Sequence, residues 1–382
     1  MFEKIKSIFG KKREDLEQIP LFTQESSIKA DELSAVIAAI SNISETIASL
    51  PLNLYKRTKE GSILAQNHPL YELIKVAPNE TMTPFTLFES FMVQMLIYGN
   101  GFLYPIRKRN GIVNSIELVE FKDINFLKVD NKYFYQAYSN GKSIILNYDE
   151  LVNVPYHTKD GIKGIAPLRK SKNTALLAKA IEEHGLSFFT NGSFTSGIIS
   201  VPDELTNQAY DRLKASFKEN YSKKKAYNIS ILEQGATYTQ TTSANKDSQF
   251  LESKQFQVIE IARLFNIPPH KLGDLSRATF SNIEQQETNY MVQTITPLTN
   301  KIEQALNRFL LNKNEWGEFY FKFNINAILR ADSSSRWESY TKALQNGVMS
   351  INEVRALEEM NPIDNGDEHF RPLNMDKLNS EN

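Results

Sequence analysis

Histidines are the first residues to consider for acid–base or metal chemistry, and this chain of 382 residues has five of them. They stand at positions His68, His157, His184, His270 and His369. No two have the i, i+4 spacing at which one helix face presents both rings to a metal ion. His157 is close to Asp160, but a loop pair of this kind is more typical of a turn than of a catalytic dyad. The histidines therefore predict neither a metal site nor acid–base catalysis.

Motifs for phosphate binding and nucleophilic attack are missing as well. The sequence has no G-x-x-x-x-G-K-[ST] loop, no G-x-S-x-G elbow and no G-x-G-x-x-G fingerprint. It has no cysteine, which excludes disulfides, thiol nucleophiles and zinc sites built on Cys. Neighbouring acids such as Glu182 and Glu183 fall on predicted helices, where adjacent side chains point in different directions. The sequence therefore predicts a protein that is not an enzyme and carries no metal or cofactor.

Basic residues are the remaining candidates, as contacts to nucleic acid. The formal net charge is −1, so the chain does not carry the positive excess typical of proteins that bind DNA tightly. Near-neutrality is compatible with a channel through which DNA slides. The run Lys223-Lys224-Lys225 is most simply a solvated turn, and contact with phosphate or with an acidic partner is the alternative.

Composition and hydropathy indicate a folded protein of ordinary type. Hydrophobic residues make up 41% and charged residues 23%, and the length allows two or three compact units. No stretch approaches the ~20 apolar residues of a membrane span, so we expect no stable membrane association. The first residues are faintly amphipathic and lack the apolar core of a secretory signal. We expect a mobile arm or short docking helix there, with contact to a membrane surface as the alternative.

The first 160 or so residues predict an α+β unit. A helix over 31–50 ends at Pro51 and leads into a strand. A second helix begins at Thr83, whose hydroxyl can cap it, with Pro84 at the first helical position, and ends at Gly99. Between residues 102 and 155, short apolar strands alternate with Asn-Gly and similar turns, which favour hairpins.

The second half is mostly helical. A helix over 167–189 and another over 248–265 enclose a small insert with a strand at 197–201, a helix over 203–221 and strands near 228–232 and 237–242. The first enclosing helix has an apolar stripe of Leu177, Ile181, Gly185 and Phe188, and the second includes Val258. An exposed loop over 271–279 follows. Ser281 and Glu284 form a capping box for the next helix.

That next helix is the most strongly periodic in the chain. Its apolar face comprises Met291, Ile295, Leu298, Ile302, Ala305 and Phe309, and Pro297 predicts a kink. A strand at 318–325 follows. The last part predicts a helix near 337–345 and another capped by Ser350 with Glu353, before a loose tail.

The order of these elements and several short strings resemble one known family. The strings are SLPLNLY at 49–55, HPL at 68–70, YGNGF at 98–102, GIKGIAPL at 161–168, FFTNG at 188–192, IARLFNIPP at 261–269, TFSNIEQ at 279–285 and GVMSINEVR at 347–355. Each is weak alone, but together they cover most of the chain in order. The sequence resembles the portal proteins of tailed bacteriophages, in the family of the lambda-like siphophage portals.

The resemblance implies an α+β portal fold with wing, stem, clip and crown regions, assembled as a cyclic ring around a central channel. Residue ranges follow from it: 1–30 an N-terminal arm, 31–166 the wing, 167–194 the first stem helix, 195–245 the clip, 246–269 the second stem helix, 270–281 the tunnel loop, 282–332 the long kinked helix with a wing strand, and 333–382 the crown and C-terminal tail.

The resemblance also implies a function and partners. Portals of this family form a homo-dodecamer at one capsid vertex, through which DNA is packaged and ejected and to which the tail is joined. The clip docks the large terminase subunit and later the head-completion adaptor, and the wing meets major capsid and scaffold proteins. Double-stranded DNA passes the tunnel loops without sequence-specific contact. Assembly takes place in the cytoplasm of the bacterial host, before the portal becomes part of the virion.

Candidate residues for these roles follow from the same resemblance. The tunnel-loop candidates for contact with DNA are Lys271, Asp274 and Arg277. The clip candidates for docking terminase or adaptor are Lys218, Lys223, Lys224 and Lys225. The candidates for packing of the stem and long helix are Leu177, Ile181, Phe188, Val258, Met291, Ile295 and Ile302.

Two other classes of function stay open from the sequence. One is another phage head–tail structural protein, such as an adaptor or a capsid component, although abundant helix after Gly164 counts against a capsid subunit. The other is an enzyme acting on nucleic acid, such as a nuclease or a packaging ATPase. Such an enzyme needs a carboxylate–metal cluster or a phosphate loop, and the sequence predicts neither.

Overall fold

The computed structural model describes residues 17–19, 33–59, 61–120, 124–129, 132–139, 142–190, 197–202, 205–220, 235, 237–240, 245–276, 280–325, 333–358 and 360–370. The chain divides into two compact units, residues 1–322 and 323–382. Its strands are β1 Glu17–Ile19, β2 Leu52–Thr58, β3 Gly61–Leu64, β4 Asn100–Arg107, β5 Val113–Leu118, β6 Ile124–Val129, β7 Lys132–Ser139, β8 Lys142–Asn147, β9 Val152–Pro155, β10 His157–Thr158, β11 Gly164–Ile165, β12 Gly197–Ser200, β13 Thr237–Gln240 and β14 Phe319–Phe323.

The helices are α1 Ser34–Ser49, α2 Pro69–Lys75, α3 Pro84–Tyr98, α4 Pro167–Lys170, α5 Lys172–Thr190, α6 Asn207–Asn220, α7 Asn245–Phe265, α8 Phe280–Tyr290, α9 Thr296–Phe309, α10 Ser333–Gln345 and α11 Ile351–Leu357. Two short 3₁₀ helices, Tyr148–Glu150 and Pro269–Leu272, and a π-helical segment, Met291–Ile295, complete the described elements. In this part of the chain no helix combines the length and apolarity needed to cross a membrane.

Antiparallel sheets and two packed helices, α1 and α3, form the predicted α+β body. The strand orders are β14-β2-β3, β5-β4-β9 and β1-β6-β7-β8. A buried cluster packs strands of two of these sheets together and consists of Phe102, Ile124, Phe126, Tyr135 and Leu151. Because strand side chains alternate between faces, each sheet gives one face to such a core.

Local capping explains the ends of α3. The Thr83 hydroxyl accepts a hydrogen bond from the backbone amide of Thr86 at 3.2 Å, and Pro84 occupies the first turn, where its missing N–H costs nothing. Gly99 ends the helix with a left-handed φ of 97°. The predicted start and end of this helix are confirmed.

The N-terminal arm contributes one short strand. Its residues Glu17–Ile19 pair antiparallel with β6 and so cover an edge of the β6-β7-β8 sheet. Residues 1–16 and 20–32 lie outside the described residues. The mobile arm or docking helix expected at the first residues therefore stays a prediction.

The first predicted stem helix is interrupted, which corrects the single helix expected over 167–189. Ser171 has φ −130° and ψ 69°, outside the helical region, and separates α4 from α5. Helices α5 and α7 then pack antiparallel. The Gln257 side chain of α7 donates to the Thr174 carbonyl oxygen at 2.8 Å, and the ring of Phe250 lies over Gly185.

The insert between α5 and α7 contains the two paired strands β12 and β13 and the helix α6. Strand β12 and helix α6 agree with the predicted strand at 197–201 and helix over 203–221. The predicted strand at 228–232 and the lysine turn at 223–225 lie outside the described residues.

The long helix differs from its prediction in two places. It begins at Phe280, so Ser281 is a helical residue and not the predicted cap. The predicted irregularity at Pro297 appears as the π-helical segment just before it, in which the Thr296 amide bonds to the Met291 carbonyl oxygen. Pro297 has no N–H for the Gln293 carbonyl oxygen, and the Asn266 carboxamide, 3.4 Å away, takes that place.

The second unit contains α10 and α11. Ser350 and Glu353 form a reciprocal capping box at the start of α11, which confirms that prediction. The Asn352 side chain then fixes the chain that follows, because it donates to the Ile363 carbonyl oxygen and accepts from the Ile363 amide at 3.0 and 2.8 Å.

Candidate nucleic-acid interface

The predicted tunnel loop begins as a 3₁₀ helix. Lys271 lies within Pro269–Leu272, and Gly273 ends that turn with a left-handed φ of 86°. The exposed loop predicted from Lys271 onward therefore begins two residues later. Lys271 and Leu272, the first two residues of the predicted loop, belong to the 3₁₀ helix.

Side chains of this 3₁₀ helix bind the beginning of the long helix. His270 Nε2 lies 2.9 Å from Glu287 Oε1, and His270 Nδ1 lies 2.8 Å from Gln286 Oε1. Lys271 Nζ lies 2.9 Å from the same Glu287 oxygen. We call His270, Lys271, Gln286, Glu287 and Tyr290 the loop anchor.

Tyr290 connects the loop anchor to α1. The ammonium of Lys271 lies over its ring, 4.9 Å from the centroid, at cation–π distance. The Tyr290 hydroxyl is 3.5 Å from both the Asn42 carbonyl oxygen and Thr46 Oγ1. Burial raises the pKa of the Tyr290 phenol, so it stays neutral at physiological pH.

The Glu287 carboxylate is the charge on which the loop anchor depends. Partial burial by itself would raise its pKa, but hydrogen bonds from His270 and Lys271 outweigh burial and hold the pKa below its ordinary value. Glu287 is therefore ionised at neutral pH, opposite the Lys271 ammonium.

The other two tunnel-loop candidates follow the 3₁₀ helix. Asp274 is half-buried, and its Oδ1 accepts a hydrogen bond from the Ser276 amide at 3.0 Å. Arg277 lies outside the described residues. Contact of Lys271, Asp274 and Arg277 with DNA stays a prediction.

The clip candidates fall on or after α6. Lys218 belongs to α6, but its side chain is outside the described part of the structure, as are Lys223, Lys224 and Lys225. Their role in docking stays a prediction.

The packing candidates separate into two groups. Met291, Ile295 and Ile302 are buried within the chain, on the predicted apolar face of the long helix. In α5 the buried positions are instead Ala175, Ala178 and Gly185. Ile181 and Val258 are half-buried beside them, Leu177 is exposed, and the side chain of Phe188 is outside the described residues.

Helices α5 and α7 leave large apolar side chains uncovered in the single chain. Leu177 is 51% and Leu186 67% exposed on α5, and Leu251 is 61% and Phe256 54% exposed on α7. Since such side chains gain about 1.5–3 kcal/mol each on full burial, two helices presenting four of them form a candidate contact surface. We call these four residues the stem patch.

A second buried site was missed by the sequence reasoning. The Asn100 carboxamide donates to Asn153 Oδ1 at 2.7 Å and to the Ile162 carbonyl oxygen at 3.0 Å, and it accepts from the Gly164 amide at 2.8 Å. Asn153 donates to the same Ile162 oxygen at 3.0 Å. Both asparagines are buried.

Two glycines make this arrangement possible. The backbones of Gly99 and Gly164 touch, so that a Cβ on Gly99 would lie 2.6 Å from the Gly164 carbonyl oxygen and a Cβ on Gly164 would overlap the Gly99 carbonyl. We call Gly99, Asn100, Asn153 and Gly164 the glycine–asparagine junction. It joins two of the strings that carry the family resemblance, 98–102 and 161–168, and those strings were the available signal.

The candidates for acid–base and metal chemistry form no site in the described residues. Asp160, near His157, accepts hydrogen bonds from the amides of Ile162 and Lys163 at 2.8 Å each, which confirms a turn. Burial would raise the pKa of this carboxyl, but these bonds and one from Thr158 hold it below its ordinary value. No group of three or more His, Cys, Asp or Glu side chains there could hold a metal ion.

Comparison with known sequences places these features in a family. The family model described as "Phage portal protein" matches residues 34–359. The portal protein of Enterobacteria phage HK97 is 28% identical over 346 residues, covering 89% of this chain and 81% of that protein. The probable portal protein of Streptomyces phage phiC31 is 28% identical over 366 residues, covering 92% and 80%.

Solved structures share the fold. A chain in the neck of an empty gene transfer agent (GTA) particle, computed with C6 symmetry, is similar with a TM-score of 0.64 and 19% identity, over 91% of this chain and 96% of that one. A chain in the neck of a native GTA particle, computed with C12 symmetry, has a TM-score of 0.58 and 19% identity, over 90% and 96%.

Proposed function

Because this chain belongs to the phage portal protein family and functions as a portal protein, we propose that its copies form a dodecameric ring at one capsid vertex. DNA enters the head and leaves it through the central channel, and the tail is joined at the same vertex. Portal proteins are structural components, and we propose that this one has no enzymatic activity of its own.

The stem patch is the observation that carries this proposal. Leu177 and Leu186 on α5, with Leu251 and Phe256 on α7, are more than half exposed in the single chain. A cyclic ring gives every copy the same two neighbours, so that complementary surfaces on its two sides are covered without leaving a free end. Chains that share this fold occur in GTA necks computed with C6 and with C12 symmetry, and both symmetries are compatible with a twelvefold ring.

For the channel, we propose that residues 270–281 face the DNA. The net charge of −1 and the opposite charges of Asp274 and Arg277 suit weak, transient contact with phosphates. A channel must avoid dense contacts to base edges and tight phosphate clamps, because each would resist movement of the DNA.

For the partners, we propose that the insert between α5 and α7 is the docking surface for the large terminase subunit and then the head-completion adaptor. Its lysines, Lys218 and Lys223 to Lys225, would meet acidic surfaces on those proteins. The α+β body would face major capsid and scaffold proteins. Assembly would take place in the bacterial cytoplasm, before the ring becomes part of the virion.

The ring is tested by placing a charge on the stem patch. Phe256→Asp and Leu251→Asp should fold normally, since both positions are exposed, but should shift the protein from rings to monomers in native mass spectrometry and negative-stain images. Ile63→Asp is the matched control, because Ile63 is 57% exposed on β3, away from α5 and α7. Rings that form equally well in all three variants would contradict the assignment.

The channel is tested at Arg277. Arg277→Ala should leave the ring intact in images and lower or accelerate DNA packaging in a reconstituted head. Loss of the ring would instead mean that the loop is structural. Lys56→Ala serves as a control for removing a surface charge elsewhere, because Lys56 pairs with Glu318 on the α+β body.

Enzymatic activity is tested directly. The purified ring should neither turn over ATP nor cleave DNA in the presence of Mg²⁺. Robust activity abolished by substitution of a single carboxylate would contradict the structural role.

A further inference from the structure

We propose that Lys271 and Glu287 are positioning residues, whose ion pair holds together the two ends of the DNA-facing segment. Lys271 does not itself contact DNA. The inference rests on the proposed function, in which residues 270–281 face the channel. It reassigns one of the three tunnel-loop candidates from contact with DNA to a contact within the chain.

The ion pair joins the two ends of one segment. Lys271 lies in the 3₁₀ helix before Gly273, and Glu287 lies on α8, which begins at Phe280. Their charged atoms are 2.9 Å apart, and His270 adds a second bond to the same carboxylate at 2.9 Å. Fixing the two ends of a short segment reduces the number of conformations it can adopt.

The Lys271 ammonium is already engaged on two sides. Glu287 accepts its hydrogen bond, and the face of Tyr290 lies 4.9 Å away. The side chain is only 19% exposed. A DNA phosphate would have to replace a carboxylate that already holds a charge-assisted bond, and would gain little by the exchange.

The loop anchor is also attached to the α+β body. Tyr290 is buried, and its hydroxyl lies 3.5 Å from acceptors on α1 at Asn42 and Thr46. Contacts with α1 as well as with α8 therefore hold the segment in position. Loss of the ion pair should loosen the segment without unfolding α7, whose residues Ile261, Ala262 and Phe265 are buried.

The size of the effect follows from exposure. The Glu287 side chain is 40% exposed, so solvent screens the pair and its contribution is that of a partly exposed ion pair. We expect hydrogen exchange of backbone amides in 272–283 to accelerate by up to about fivefold when the pair is broken. Exchange in α3 should not change.

The first experiment compares Lys271→Gln, Glu287→Gln and the double variant by hydrogen exchange on the full-length ring. If the residues act as a pair, each single change accelerates the same amides and the double change adds nothing further. Lys271→Arg should restore most of the protection. Additive effects, or acceleration in only one single variant, would overturn the proposal. Lys56→Gln, in the Lys56–Glu318 pair, is the matched control.

The second experiment measures binding of a short random-sequence duplex DNA to the same rings over a range of salt concentrations. Each lysine that contacts a phosphate lowers the salt slope by about one when it is removed, and the substitution removes this lysine from every subunit of the ring. We expect Lys271→Gln and Glu287→Gln to leave the slope unchanged. A reduced slope with Lys271→Gln, together with tighter binding by Glu287→Gln, would identify Lys271 as a DNA contact and overturn the proposal.

Failure of the proposed function gives a different result. If Arg277→Ala and deletion of 274–279 both leave packaging unchanged, the segment does not face DNA. The assignment of Lys271 and Glu287 to a DNA-facing segment is then overturned as well, even where the hydrogen-exchange coupling between them persists. A changed rate of packaging in Arg277→Ala, in either direction, combined with coupled exchange, supports both.

Discussion

The glycine–asparagine junction and the loop anchor each hold a turn of the chain against neighbouring elements, but with opposite chemistry. Asn100 and Asn153 are neutral, buried and bonded to each other and to the backbone of 162–164. Lys271 and Glu287 are charged and partly exposed, and they bond side chain to side chain. The polar groups of the junction are buried away from solvent, whereas the charged groups of the loop anchor are partly exposed to solvent.

This difference predicts different responses to conditions. A buried amide that loses its partner keeps a desolvated polar group, so the junction should be intolerant of substitution and insensitive to pH and salt. A partly exposed ion pair contributes little to total stability and is screened by salt. The junction therefore suits a fixed corner between the α+β body and α4, and the loop anchor suits a segment that adjusts.

A charge on the buried face of the long helix should lower stability the most and should disrupt the junction and the loop anchor together. Ile302 is buried on α9, which packs against β9, the strand of Asn153. Ile302→Asp should lower the free energy of unfolding by about 3–5 kcal/mol, as expected for a buried charge without a partner. Urea unfolding measures this. Ile37→Asp on the exposed side of α1 should cost under about 1 kcal/mol, and equal losses would refute the placement of the apolar face.

A methyl group at the close approach of the two glycine backbones should affect only the junction. Gly164→Ala should lower the free energy of unfolding by about 3 kcal/mol, because the added Cβ would overlap the backbone carbonyl of Gly99. Gly161→Ala is the control: its Cβ meets open space, and only its positive φ costs about 1 kcal/mol. Similar losses for both would mean that the close approach is not a constraint.

Removal of the Asn100 carboxamide should cause the next largest loss of stability. Asn100→Leu leaves the Gly164 amide and Asn153 Oδ1 buried without their partner, which should cost about 2–3 kcal/mol. Asn53→Ala, which removes one weaker bond to the Tyr55 hydroxyl, should cost under about 1 kcal/mol. A thermal shift that does not distinguish the two variants would contradict the junction.

The smallest expected effect is that of acid, which should loosen the loop anchor and leave the junction unchanged. The pKa of Glu287 is below its ordinary value of 4.5, so its contribution is present above that value and is lost as pH falls through the lower folded value. The loss should be no more than about 1 kcal/mol, since the Glu287 side chain is 40% exposed and solvent screens its charge. Hydrogen exchange corrected for intrinsic rates should show loosening of 270–290 in acid, and none at Asn100 and Gly164. Loosening of both together would erase the distinction.

Local signals account for what could be predicted. Thr83, Pro84 and Gly99 define α3, and Ser350 with Glu353 define the start of α11, because a cap is read from a few neighbouring residues. The apolar face through Met291, Ile295 and Ile302 was evident from its helical period. The tunnel-loop and clip assignments came from resemblance to the portal family and stay predictions.

The features that were missed depend on contacts between residues distant in sequence. The π-helical segment accommodates Asn266, whose side chain bonds Thr294 at 3.0 Å, and no local pattern encodes that meeting. In the same way, the sequence predicted Lys271 in an exposed loop, and only the fold brought Glu287 and Tyr290 to it.

By itself, the amino-acid sequence determined the types of the main elements, the caps of two helices, the apolar face of the long helix and the resemblance to phage portals. These depend on propensity and periodicity over short stretches. Only the tertiary structure decided that 98–102 and 161–168 meet at two touching glycines, and that Lys271 pairs with Glu287. Polar partners and close backbone approaches are chosen by packing, which joins residues that the sequence keeps apart.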